Sequence, residues 1–102
     1  YLRFERGVDR KDEISLSGVM GGEFAYFGRG MLAADILYLR LERIGDSVSA
    51  YCSGDEATWL TCGEVNFPAE DPIQVGIHVI GGAVRGGWMA TATRFDDFKI
   101  FR

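Results

Sequence analysis

The feature that most constrains the fold of this chain is the alternation of apolar and polar residues in short runs. Gly, Asp and Ser separate these runs, and helical periodicity is almost absent. A period of two places successive side chains on opposite faces of a β-strand, so it predicts an antiparallel sheet protein. We expect eight strands, at residues 1–6, 13–17, 23–27, 36–44, 47–52, 58–64, 73–80 and 89–101. Residues 31–35 are the only stretch that could form a turn of helix.

Two turn signals organise the middle of the chain. Gly45 and Asp46 form a tight turn, in which glycine supplies a positive φ, and residues 53–57 form a second loop. Together they predict a three-stranded meander over residues 37–65. On its first strand, alternation places three leucines on one face and Tyr38, Arg40 and Glu42 on the other.

The sequence also contains an internal echo. Residues 1–6 (YLRFER) and residues 38–43 (YLRLER) are identical at five of six positions. One echo is too little for a repeat architecture, which needs three or more units. It indicates two equivalent strands that expose Tyr, Arg and Glu, where opposite charges on paired strands contribute about 0.2–1 kcal/mol each.

Length and charge limit the function classes. The 102 residues suit one domain spanning residues 1–102. Eleven Lys and Arg against fifteen Asp and Glu give a net charge of -4, which does not favour nucleic acid as a partner. No apolar run is long enough for a membrane span.

Cys52 and Cys62 bear on the redox compartment. The chain has no Cys-x-x-Cys and a single histidine, which argues against a zinc site. A disulfide between the two cysteines across a hairpin would imply an oxidising, extracytoplasmic location, either periplasmic or secreted. Two ordinary half-buried thiols are the alternative, and the sequence leaves both open.

Three segments carry a family resemblance. Residues 38–59 (YLRLERIGDSVSAYCSGDEATW) resemble a stretch of the concanavalin A-like lectin/glucanase jelly rolls, in particular of small bacterial sandwich domains. Residues 72–77 (PIQVGI) look like their central strand, and residues 92–100 (ATRFDDFKI) like their closing strand. The resemblance implies an all-β, antiparallel, jelly-roll-like β-sandwich. Family members are about twice as long, so we expect a partial sandwich, the C-terminal portion of a longer domain.

The acidic residues do not predict an enzyme. Glycanases of this superfamily carry a Glu-x-Asp-x-x-Glu motif on one strand, and the sequence has none. Asp96 and Asp97 are adjacent on the expected closing strand, so their side chains point to opposite faces. The resemblance implies that such carboxylates help to hold a structural Ca²⁺; solvated or Arg-paired carboxylates are the alternative. No other cofactor is expected.

Two groups of residues are candidate ligand sites. Four glycines within residues 81–88 place Arg85 and Trp88 in the open, where an aromatic ring and a guanidinium could bind a sugar. Trp88 packing inward at the start of the last strand is the alternative. The second group is the face with Tyr38, Arg40, Glu42 and His78: a ligand groove if it is open, and interface chemistry if a partner covers it.

Two functions follow as expectations. A partial jelly roll leaves an apolar face and sheet edges exposed, which proteins avoid, so other protein chains or a missing N-terminal half should cover them. This favours a non-catalytic structural or interaction subunit that docks onto a larger protein or assembly. The alternative is a lectin-like carbohydrate-binding module with Trp88, Tyr38 or Tyr26 as its exposed platform. A glycoside hydrolase fragment is the least favoured function.

Overall fold

The computed structural model describes residues 1–7, 10–68, 74–76, 83–84, 87–88 and 99–100. The chain divides into two compact units, Tyr1–Asp71 and Pro72–Arg102. In the first unit, the described residues form two antiparallel three-stranded sheets and no helix. The prediction of an antiparallel all-β protein is confirmed for this part of the chain.

The first sheet has the strand order β1-β2-β3, with β1 at Leu2–Arg6, β2 at Glu13–Met20 and β3 at Glu23–Met31. Gly21 and Gly22 join β2 to β3 with φ values of 60° and 79°. Two successive positive φ values are what a two-residue type I′ turn requires, and its twist matches that of the flanking strands. Both strands extend beyond the residues that alternation predicts.

The second sheet has the order β4-β5-β6, with β4 at Tyr38–Ile44, β5 at Ser47–Ser53 and β6 at Leu60–Asn66. Gly45 has a φ of 61° and opens the two-residue turn between β4 and β5. Glycine at the first central position is typical of a type II′ turn. The predicted meander is therefore confirmed.

Residues 31–35, the stretch that could form a turn of helix, do not form one. Met31 is the last residue of β3 and pairs with Glu13. The amide of Leu32 then donates a hydrogen bond to the carbonyl of Asp12 at 3.0 Å. Because this amide continues the contact with β2, the chain runs on along the sheet instead of turning into a helix.

Leu16 lies at the centre of the core. It comes from β2, has no exposed surface, and packs with Val48 and Ala50 of β5 and Val65 of β6. Partly buried apolar side chains surround this cluster, namely Leu2, Phe4, Met20, Phe27, Cys62 and Phe67. The core therefore joins the two sheets of the first unit into a sandwich-like arrangement.

Each sheet contains a β-bulge. Between β2 and β3 the register shifts at Leu16 and Ser17, which leaves Phe27 as the extra residue. Between β5 and β6 it shifts at Ala50 and Tyr51, which leaves Cys62 as the extra residue. A bulge bends its strand and redirects the extra side chain. Both extra residues pack against the core.

The two bulged strands meet backbone to backbone. A Cβ added to Gly28 of β3 would lie 1.7 Å from the carbonyl oxygen of Cys62. A Cβ added to Gly63 of β6 would lie 2.9 Å from the carbonyl oxygen of Phe27. Glycine at both positions permits this close approach of the two sheets.

The second unit contains one described pair of strands, β7 at Ala83–Val84 and β8 at Gly87–Trp88, in antiparallel register. Residues 74–76 and 99–100 are described and lie outside any strand, although the strands predicted at 73–80 and 89–101 include them. The remaining residues of those two predicted strands lie outside the described part of the chain.

Replacing Gly28 with alanine tests the contact between the sheets. We expect Gly28→Ala to lower the free energy of unfolding by about 3 kcal/mol or more, the upper end of overpacking costs, because backbone must move to admit the methyl group. Gly30→Ala is the matched control on the same strand, since a Cβ there meets nothing within 4 Å. Urea unfolding measures both, and equal stability of the two variants would contradict the close approach.

Candidate functional site

Tyr38, Arg40 and Glu42 lie on one side of β4, as alternation predicts. Arg40 donates a hydrogen bond from Nη2 to the carboxylate of Glu42. The guanidinium of Arg40 also lies 5.9 Å from the centre of the Trp59 ring. Tyr38 is half-buried. The structure thus brings these three predicted residues onto one face, with the two charges paired to each other.

The opposite side of β4 carries an exposed apolar surface. Leu39 is 43% exposed and Leu41 is 50% exposed. Their register partners on β5 are Cys52 and Ala50, both of which are buried. One face of the second sheet is therefore covered over β5 and uncovered over β4. We call Leu39 and Leu41 the β4 surface.

β4 is also an edge strand. In the described part of the chain it pairs with β5 on one side and with no strand on the other. Ile44 and Ser47 close a two-residue turn, so they form a hydrogen-bonded pair, and every second residue before Ile44 also bonds to β5. The backbone amides and carbonyls of Leu39 and Leu41 consequently point toward the other edge.

The two cysteines lie side by side. Cys52 Sγ and Cys62 Sγ are 2.9 Å apart, and the two thiols are not bonded in this structure. The β-bulge accounts for the proximity, because it makes Cys62 the extra residue of β6 and turns it toward the core. Burial, and then the neighbouring thiol, raise the pKa of Cys62 to about 12. The disulfide stays a prediction.

The acidic pair Asp55 and Glu56 belongs to the loop between β5 and β6. The Asp55 carboxylate accepts hydrogen bonds from the amides of Ala57 at 2.9 Å and Thr58 at 2.8 Å. These two amides, Thr58 first, lower the pKa of Asp55. Glu56 adopts a φ of 63°, and its amide donates to Ser53 Oγ at 2.9 Å. Asp55 therefore accepts hydrogen bonds that hold the backbone of this loop.

Sequence reasoning missed a charged and aromatic cluster on the outer face of the first sheet. Glu13 is buried, and its Oε1 lies 2.6 Å from both Nε and Nη2 of Arg29. The Arg29 guanidinium also lies 4.3 Å from the centre of the Tyr26 ring. The sequence gives no signal for this cluster, because the register set by the Gly21-Gly22 turn alone would pair Arg29 with Ile14. The β-bulge shifts the register so that Arg29 pairs with Ser15 and lies diagonally opposite Glu13.

Phe24 extends this cluster. Its ring centre lies 5.2 Å from that of Tyr26, with the two rings nearly perpendicular at 85°. Phe24 is 56% exposed and Tyr26 is 39% exposed. Tyr26 was one of three predicted platform residues, and it is open to solvent. The Arg29 guanidinium, however, lies over its ring and would compete with a stacking ligand.

Several predicted site residues lie outside the described residues. These are Arg85, His78, Asp96 and Asp97, and Trp88 is described through its backbone alone. The sugar platform at Arg85 and Trp88 and the calcium site therefore stay predictions. Within the described part of the chain, no group of three or more His, Cys, Asp or Glu residues is arranged to hold a metal ion.

Among the described residues, no helix has the length and apolar character needed to cross a bilayer. Comparison with protein-family models, with curated proteins and with solved structures found no match in any of the three. The resemblance to concanavalin A-like jelly rolls therefore stays a prediction that rests on the motifs alone.

Peptide mapping of the protein purified without reductant tests the predicted disulfide. We expect Cys52 and Cys62 in one cross-linked peptide pair, formed when the two thiols lose two protons and two electrons to an oxidant such as oxidised glutathione. Alkylation must be done in denaturant, because a thiol with a pKa of about 12 reacts slowly in the folded chain. Recovery of both cysteines as alkylated thiols would show that the pair is not a disulfide.

Proposed function

We propose that this chain is a non-catalytic interaction subunit, and that it docks onto another protein chain through the β4 surface and the adjoining strand edge. The observation that carries the proposal is the exposure of Leu39 and Leu41 on the side of the second sheet whose β5 residues are buried. The covered part of this face ends at β5, so the leucines of the edge strand β4 are left for another protein chain to cover.

Two interactions favour the binding of a partner at β4. Removing apolar surface from water stabilises a complex by about 25 cal/mol per Å². An edge strand with outward-pointing backbone groups can also accept a further strand, so main-chain hydrogen bonds and side-chain burial act together. β4 offers both, because Leu39 and Leu41 supply the exposed side chains and the outward-pointing amides at once.

The fold proposal is more specific than two packed sheets. We propose that the chain is a jelly-roll-like sandwich of the concanavalin A-like type. The antiparallel order of both sheets and the core between them support this proposal. We also propose an extracytoplasmic location, which depends on the disulfide between Cys52 and Cys62.

Carbohydrate binding is the second candidate function. The observation in its favour is the pair of neighbouring exposed rings, Phe24 and Tyr26, on the outer face of the first sheet. Sugars stack on exposed aromatic faces, and Arg29 is positioned beside them as a hydrogen-bond donor. The Arg29 guanidinium over Tyr26 leaves Phe24 as the more accessible ring. A glycan array is the appropriate screen for this candidate.

Leu41→Lys tests the interaction function. We expect at least a tenfold smaller assembled fraction, because a charge would have to be buried under the partner, and a change in unfolding free energy within about 0.5 kcal/mol, because the position is exposed. Native mass spectrometry of the tagged chain from its natural source measures the assembled fraction. Thr61→Lys, at an exposed position on β6, is the control.

A photo-cross-linking amino acid at position 41 identifies what lies on the β4 surface in the same source. The proposal expects an adduct of discrete mass at position 41 and none at position 61. Migration of the natural protein as a lone chain, with no adduct at position 41, would contradict it.

A further inference from the structure

We propose that the partner at β4 is a second copy of this chain, which pairs with it strand to strand, antiparallel, about a two-fold axis at Leu41. This inference rests on the proposed function, since it names the occupant of the same surface. Its basis is the sequence and register of β4 itself, which are complementary to an inverted copy of the same strand.

Charge complementarity is the first argument. With Leu41 on the two-fold axis, Arg40 of one copy lies opposite Glu42 of the other, and the symmetry makes the same pair again. Opposite charges in directly opposed positions stabilise an antiparallel pair, and like charges destabilise it. The Arg40 and Glu42 side chains are 54% and 37% exposed. Both can therefore leave their contact with each other within the strand and form ion pairs with the second copy.

Hydrogen bonding is the second and independent argument. The backbone groups of Leu39 and Leu41 point toward the open edge, so these residues must face residues of the same kind in the second copy. A shift of one residue in the register between the two copies places Leu41 opposite a residue whose backbone bonds to β5, so the hydrogen bonds between the copies are lost. A shift of two residues keeps these hydrogen bonds but places Arg40 opposite Arg40, or Glu42 opposite Glu42. Among these neighbouring registers, the one centred on Leu41 satisfies the backbone and the charges together.

The apolar side chains follow from the same register. Leu41 lies opposite Leu41 of the second copy, on the side of the sheet where Leu39 and Leu41 are exposed. Each Leu39 lies opposite Arg43 of the other copy, so the apolar contact across the six-stranded sheet is centred on the two Leu41 side chains. The contact uses the same patch on both copies, so it is isologous and closes at the dimer.

The echo at residues 1–6 offers a competing partner for β4. Arg3, Phe4 and Glu5 repeat the pattern of β4, so β1 of a second copy has the charges needed to pair with β4. Phe4 packs against the core, however, whereas Leu41 is exposed. Pairing of β1 with β4 would also be heterologous and would build open chains of molecules. The two arrangements differ in what they predict for substitutions on β1.

Sedimentation velocity of the purified chain over a range of concentrations tests the inference. We expect a dimer of twice 11.3 kDa. Arg40→Glu alone places two like-charged Glu pairs across the axis, and Glu42→Arg alone places two Arg pairs, so each should weaken dimerisation at least tenfold. An equimolar mixture of these two variants should restore the dimer, because every opposed pair is again of opposite charge. The chain carrying both substitutions should dimerise as the parent does.

The control is Arg3→Glu, the same charge change at the equivalent position of β1, which should leave the dimer unchanged. Thermal unfolding of each variant confirms that it is folded. Should a charge-reversal variant fail to fold, Leu41→Lys replaces it, because lysine on the two-fold axis faces its own copy.

Each remaining outcome counts against the inference. A parent chain that stays monomeric at all concentrations overturns it, and failure of the mixture to dimerise overturns the two-fold register. Weakening by Arg3→Glu, together with species larger than a dimer, would assign the contact to β1 and β4. A monomeric purified chain that cross-links through position 41 to a different protein in its source would overturn this inference and leave the proposed function standing.

Discussion

The arrangement of the first unit depends on the backbone contact between β3 and β6. Gly28 and Gly63 let these strands approach so closely that a side chain on either would collide with main-chain atoms. This contact sets Leu16 of β2 over Ala50 and the neighbouring apolar residues of β5 and β6. The core therefore lies over those two strands, and the leucines of β4 remain exposed. One close approach thus accounts for both the buried and the uncovered parts of the second sheet.

Alternation and turn residues were sufficient to predict most of the first unit. The Gly45-Asp46 turn fixed the register of β4 and β5, and alternation placed Tyr38, Arg40 and Glu42 on one side. Alternation could not predict that Leu39 and Leu41 are exposed, because it assigns a side chain to a face and does not say what covers that face. The burial of Ala50 beside them is a consequence of the packing between sheets, which depends on residues far apart in sequence.

The bulges show the same limit of sequence reasoning. A strict alternation gives no reason for Cys62 to lie beside Cys52, and the inserted residue of β6 brings them together. Residues 31–35 could form a turn of helix by their sequence, yet they do not, because a backbone contact with Asp12 holds Leu32 along the sheet. Local sequence does not encode these contacts, since each depends on the partner strand.

The echo shows that one sequence can have two roles in one domain. Residues 1–6 and 38–43 are nearly identical, yet the residue that differs is Phe4 in β1 and Leu41 in β4. Phe4 packs against the core around Leu16, and Leu41 is exposed. The first copy of the pattern thus contributes to folding, and the second is available for association. This division is the physical basis for the proposal that β4 pairs with another molecule.

Amide hydrogen exchange of β4 at increasing protein concentration tests the central claim most directly. The account predicts that the Leu41 amide exchanges rapidly in dilute protein and becomes protected as concentration rises. The Arg40 and Glu42 amides, which bond to β5, should be protected at every concentration. Rapid exchange of Leu41 at all concentrations, or full protection even in the most dilute sample, would contradict the claim that this edge is open and accepts a second copy.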